Sequence, residues 1–130
     1  MKKMYDLAVE NIKNAYVPYS HFRVSAVLKL KNGDTIKGIN VENASYGLSN
    51  CAERSALFAA YSQGIKKEDI ESILVYTDKE YFVSPCGACR QVMSELMEPD
   101  AKVYFANSKG EIKELLNKDL LPHGFSKEDL

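Results

Sequence analysis

The chain has 130 residues, of which 45% are hydrophobic and 27% charged, and a formal net charge of −1. This is the balance of an ordinary globular protein, and the length predicts a single domain over residues 1–130, burying roughly two thirds of its unfolded surface. The charge offers no field to draw in nucleic acid, and no apolar run is long enough to span a membrane, so neither partner is expected.

In chain order, Met4, Leu7, Ala8, Ile12 and Ala15 recur at helical spacing and predict an amphipathic helix ended by "VPYS". The lysines at its start resemble a leader's, but charged and amide side chains interrupt the apolar stretch a leader needs. No signal peptide is expected, and the protein is placed in the cytoplasm. From Phe22 the period changes to two. Phe22, Val24, Ala26, Leu28 and Leu30 alternate with Arg23, Ser25 and Lys29, which predicts a half-buried strand with Val27 as its one apolar interruption. Asn32-Gly33 marks a hairpin turn, a second strand spans about 35–41, and "ENASYGLSN" reads as a loop.

An alanine-rich helix is predicted from Cys51 to about Gln63, stopped by Gly64. "IESILVYT" reads as a buried strand, and a helix from about Cys86 to Met97 carries Cys89, Val92, Met93 and Leu96 on one face. "AKVYFA" is a further strand, "NSKG" a turn, and "EIKELL" a short strand running into a helix. The order α-β-β-α-β-α-β-β predicts an α/β fold with a mixed sheet and helices on both faces.

All three cysteines fall at predicted helix starts: Cys51 opens one helix, and Cys86 and Cys89 open the next. An odd cysteine count in a reducing compartment points to metal binding or catalysis rather than to a disulfide framework. Helix N-termini stabilise thiolates, and Arg54 and Arg90 place more positive charge nearby. No fourth cysteine is present, and His21 and His123 lie in no ligand-spaced motif. A zinc ion held here would keep an open coordination position, as catalytic sites do. A redox C-x-x-C, with Cys51 an inert bystander, also satisfies the spacing. Glu53 stands two positions after Cys51. Taken singly it reads as a helix-dipole partner. Beside a zinc-bound water it reads as a proton carrier.

"CAER" (51–54) together with "PCGACRQ" (85–91) resembles the small zinc-dependent cytidine deaminases. The resemblance extends over the whole chain, through "PYSHFRVSAVL", "GINVENASYG" and "LLPHGFS". It implies a three-layer α/β/α sandwich around a mixed sheet of about five strands. It also implies one Zn²⁺ per subunit on Cys51, Cys86 and Cys89, with Glu53 as the proton shuttle and Arg54 hydrogen-bonded to ligand thiolates. By the same resemblance Asn40 and Glu42 bind the ribose hydroxyls, Phe22 stacks on the pyrimidine, and Ala52 and Ser84 meet the base edge through backbone groups. Tyr46 and Phe125 line the pocket, Phe125 from a neighbouring subunit of a homotetramer with shared active sites.

The implied reaction is hydrolytic deamination of cytidine and 2′-deoxycytidine, serving pyrimidine salvage. Ser25 and Val27 depart from the family's usual glycine and alanine and are expected to add bulk near the pocket floor. Two other readings remain: a deaminase of a related nucleoside such as blasticidin S, and a non-catalytic zinc-binding scaffold.

Overall fold

The computed structural model describes residues 1–130. Helix α1 spans Lys2–Asn11, and strands β1 (Val24–Leu30) and β2 (Thr35–Ile39) form a hairpin. Helix α2 spans Ala52–Ser62, strand β3 Ile70–Thr77, helix α3 Gly87–Leu96, and strands β4 and β5 Lys102–Ala106 and Ile112–Leu116. The five strands form one sheet in the order β2-β1-β3-β4-β5. Only β3 and β4 run parallel. A parallel pair requires a crossover, and α3 supplies it. The sheet is therefore mixed, as predicted.

Two apolar clusters separate the faces. Val24, Ala26 and Leu28 of β1 pack with Ala52, Ala56 and Leu57 of α2 and Met93 of α3. Val27, Leu74 and Tyr76 pack with Met4, Ala8 and Ile12 on the α1 side. Both faces of β1 are therefore covered, and the strand is buried at six of its seven positions rather than half-buried. Val27 is no interruption. It is the contact that α1 covers.

That alternation corrects the expectation for Ser25 and Val27. Val27 lies in the α1-side cluster, and Ser25 pairs with Tyr76 of the same cluster. Neither forms the floor of the cleft that Val24 lines from the opposite face. Two other differences are local. Phe22 precedes β1 instead of joining it. "EIKELL" runs into a 3-10 turn, Asn117–Asp119, and not into an α-helix. There the Asn117 side chain donates to the carbonyls of Met93, Met97 and Glu98, closing the C-terminal end of α3 and pinning the chain. Pro122 comes shortly after and disfavours helical continuation.

Candidate active site and metal centre

Two helix starts converge beside the start of β1. Cys51 caps α2 and Cys86 caps α3, both in extended conformation, and Cys89 sits in the first turn of α3. The ligand atoms of Cys51, Cys86 and Cys89 all lie within 4.8 Å of one another, and the sulfurs of Cys51 and Cys86 are 3.7 Å apart. Tetrahedral zinc with Zn–S bonds of about 2.3 Å separates its sulfurs by about 3.8 Å, so this donor set fits the ion in both chemistry and spacing.

The electrostatics divide the cysteines. Hydrogen bonds, first from Cys89 and then from Arg54 and Cys86, lower the Cys51 thiol to about 5. The Arg54 contact is a direct one, Nη2 to Sγ at 3.2 Å. Cys89 is pushed the other way, because it donates to Cys51, is buried, and faces Glu53. Arg54 is raised chiefly by its bond to Cys51, which holds it positive beside the cluster.

Glu53 projects from the first turn of α2 and is only 4% exposed. Burial pushes its carboxyl up to about 7; its own backbone amide opposes the shift and the Cys51 charge adds to it. A carboxyl poised near neutrality can take a proton and return it within one reaction cycle.

A cleft of about 240 Å³ opens over these groups. Cys51, Glu53 and Cys86 line it on the metal side, and Phe22, Asn40, Glu42, Ala52 and Ser84 line the remainder. Cys89 and Arg54 do not line it; Cys89 is fully buried beneath it. Tyr46, 81% exposed, lines an adjoining hollow that shares Ser20 and Glu42 with the cleft. Phe125 does not line the cleft of its own chain. It is 58% exposed and held through its carbonyl by Gln91 Nε2 at 2.9 Å. A larger hollow of about 700 Å³ lies elsewhere, lined by Lys31, Glu71, Glu98, Asp100 and Lys102 among others, without a cysteine or histidine. The smaller cleft carries two of the clustered thiols and the buried Glu53 and is the candidate site.

Several contacts are invisible in the sequence. The Asn40 amide bridges the entry to β1, accepting from Val24 N–H at 3.0 Å and donating to Phe22 C=O at 2.8 Å. The Glu42 carboxylate accepts from the backbone amides of Tyr19 and Ser20, both at 3.1 Å, and from the Ser20 hydroxyl. These bonds, the Ser20 hydroxyl first, hold it below the usual carboxylate range. Asn40 and Glu42 thus shape the turn that presents Phe22. Arg90 does not point its guanidinium at the thiolates, where its sequence position suggests added charge. It donates to Ser84 Oγ, Pro85 O and Leu120 O. No local pattern announces such long-range partners; the only signal is that Ser20 and Arg90 stand inside the motifs that carry the family resemblance.

A family model described as the cytidine and deoxycytidylate deaminase zinc-binding region matches residues 1–107. Fold, thiol cluster and this match together define a zinc-dependent hydrolytic deaminase. The chain belongs to the cytidine and deoxycytidylate deaminase family. It is 53% identical over 123 residues to a cytidine deaminase of Halalkalibacterium halodurans, covering 95% of this chain and 92% of that one. To a cytidine deaminase of Sporosarcina psychrophila it is 48% identical, covering 91% and 85%. The crystal structure of cytidine deaminase from Burkholderia pseudomallei superposes with a TM-score of 0.91 at 43% identity, covering 95% of this chain and 98% of that one.

Proposed function

We propose that residues 1–130 form one deaminase domain that hydrolyses cytidine and 2′-deoxycytidine to uridine and 2′-deoxyuridine, releasing ammonia. The observation that carries this reading is the buried Glu53, poised near neutrality beside three convergent thiols in a cleft that also presents Phe22. The names of the relatives support the substrate class. Cys51, Cys86 and Cys89 would hold the zinc, which when bound supplies Lewis acidity that activates water at neutral pH.

The chain's own residues do the rest. Phe22 stacks on the pyrimidine, and backbone groups of Ala52 and Ser84 meet its polar edge. Asn40 and Glu42 take the ribose hydroxyls with the donor and acceptor capacity their structural bonds leave free. Glu53 takes a proton from the attacking water and delivers it to ring N3, which makes C4 electrophilic. The C4–O bond forms, Glu53 carries the second proton to the amino nitrogen, and the C4–N bond breaks to release ammonia. Arg54 holds Cys51 as a thiolate and limits the negative charge of the cluster.

The exposed aromatic rings of Tyr46 and Phe125 support assembly as a homotetramer in which Phe125 closes a neighbour's cleft. Three free thiols fit a reducing cytoplasm and a role in pyrimidine salvage. Zinc content per chain, measured together with the loss of ultraviolet absorbance as cytidine turns over, tests the reading. Stoichiometric zinc with no cytidine turnover would leave a scaffold; turnover without zinc would remove the metal's role.

A further inference from the structure

The segment from Tyr81 to Pro85 joins β3 to the zinc-ligand position Cys86 and places Val83 and Ser84 at the cleft, without regular secondary structure. Every hydrogen bond that ties these five residues to the rest of the chain ends on one side chain. Arg90 Nε donates to Pro85 O at 2.9 Å, and one terminal nitrogen donates to Ser84 Oγ. The other terminal nitrogen donates to Leu120 O at 2.7 Å. Leu120 is 5% exposed and packs in the larger apolar cluster, and its segment is fixed to α3 through Asn117. The planar fork thus ties a weakly held loop to a firmly held anchor. A guanidinium suits this task because its donors diverge in fixed directions, which an ammonium cannot reproduce.

We propose that Arg90 is a positioning residue for base recognition: through the Ser84 hydroxyl and the Pro85 carbonyl it presets the Ser84–Pro85 stretch against the C-terminal segment at Leu120. Its effect on the substrate rests on the nucleoside reading above; its effect on the loop does not. A contact made equally to bound substrate and to transition state changes KM and leaves kcat. Arg90→Ala and Arg90→Lys should therefore raise the KM for cytidine about tenfold or more, the scale of one charge-assisted hydrogen bond. The kcat should fall less than about threefold, with zinc content unchanged. Arg90→Lys keeps the charge and decides the matter if Arg90→Ala does not fold.

Limited digestion with chymotrypsin gives a readout free of turnover. Tyr81 and Phe82 are already 58% and 39% exposed, and in both variants nicking there should quicken several-fold while the melting temperature moves little. Ser84→Ala should raise KM in the wild-type background and add little to Arg90→Lys, since both act on one loop. An Arg90→Lys protein with wild-type KM and nicking rate overturns the proposal. So does loss of kcat and zinc together at constant KM. A wild-type protein that ignores cytidine sinks the nucleoside reading instead, and the digestion still tests the tether.

Discussion

Gly38 of β2 lies where the sheet meets the start of α2. A Cβ built on it would stand 2.5 Å from Ala52 O and 2.5 Å from Ala56 N, the two ends of one i→i−4 rung of the helix. Both are backbone atoms, so no side chain can rotate away. Ordinary contact begins near 3.4 Å. Gly38→Ala therefore requires β2 and α2 to separate by about 0.9 Å, where the core is close-packed. Overpacking of this kind costs about 1–3 kcal/mol, which for a chain of this size lowers the melting temperature by several degrees. The displaced end of α2 carries both Cys51 and Glu53, while Cys86 and Cys89 stay with α3. Zinc sites tolerate about 0.2 Å of error in ligand distance, and misplacing a reacting group by about 1 Å can cost a hundredfold in rate. We expect Gly38→Ala to bind zinc more weakly against a competing chelator and to lose at least tenfold in kcat/KM. Melting, chelator titration and cytidine turnover measure the three effects. Unchanged zinc affinity with kcat/KM within twofold of wild type would refute the claim that this close approach sets the site.

Glu53→Gln should keep zinc and fold while turnover falls by several orders of magnitude, since it moves protons and binds no metal; parallel loss of zinc would reassign it. In zinc-stripped protein, the folded state holds the Glu53 proton up to about 7 instead of 4.5, so that contribution to stability is lost as pH rises through this window. Glu53→Gln lacks the loss, and its unfolding free energy relative to wild type should climb by up to about 3 kcal/mol from pH 4.5 to 7 in denaturant titrations; a flat difference would refute the raised value. Arg54→Gln should lower activity with zinc retained and move the acidic limb of the pH–rate profile to higher pH, because positive charge beside the thiolates favours proton loss at the site; a limb that stays put removes this account. Glu42→Gln should raise the KM for cytidine, and wild type should reject CMP because Glu42 opposes added negative charge; equal turnover of CMP and cytidine would end the nucleoside assignment.

The elements were legible because their signals are local. Helical spacing in "KKMYDLAVEN" and the Asn32-Gly33 turn, where Gly33 takes φ +95°, each specify a short stretch without help from the rest of the chain. The clustering of the three cysteines was legible for the same reason, since each stands at a helix start; Glu53 taken singly reads as a dipole partner, and its proposed part comes from the family resemblance. The second covering of β1 was not legible. Val27 looks like a flaw in an alternating strand until α1 is known to lie across that face, and only tertiary packing supplies α1. Gly38 likewise reads as an ordinary small residue until α2 is placed against it.

The polar tethers form a separate class. Asn107 donates to Glu80 O and to the Glu111 carboxylate and accepts from two backbone amides, and Asn117 closes the end of α3. Arg90 spans the 81–85 loop and the C-terminal segment. Each sits at an element's end or just beyond it and satisfies backbone groups that neither helix nor sheet can reach. A zinc site assembled from two helix starts needs such tethers. Standing at two helix starts does not fix the distance between Cys51 and Cys86. That distance depends on loops which enter each helix, and loops without ladder hydrogen bonds keep one shape only when side chains hold them. Hence these tethers include partnerships of 24 to 30 residues' separation that no short window of sequence contains.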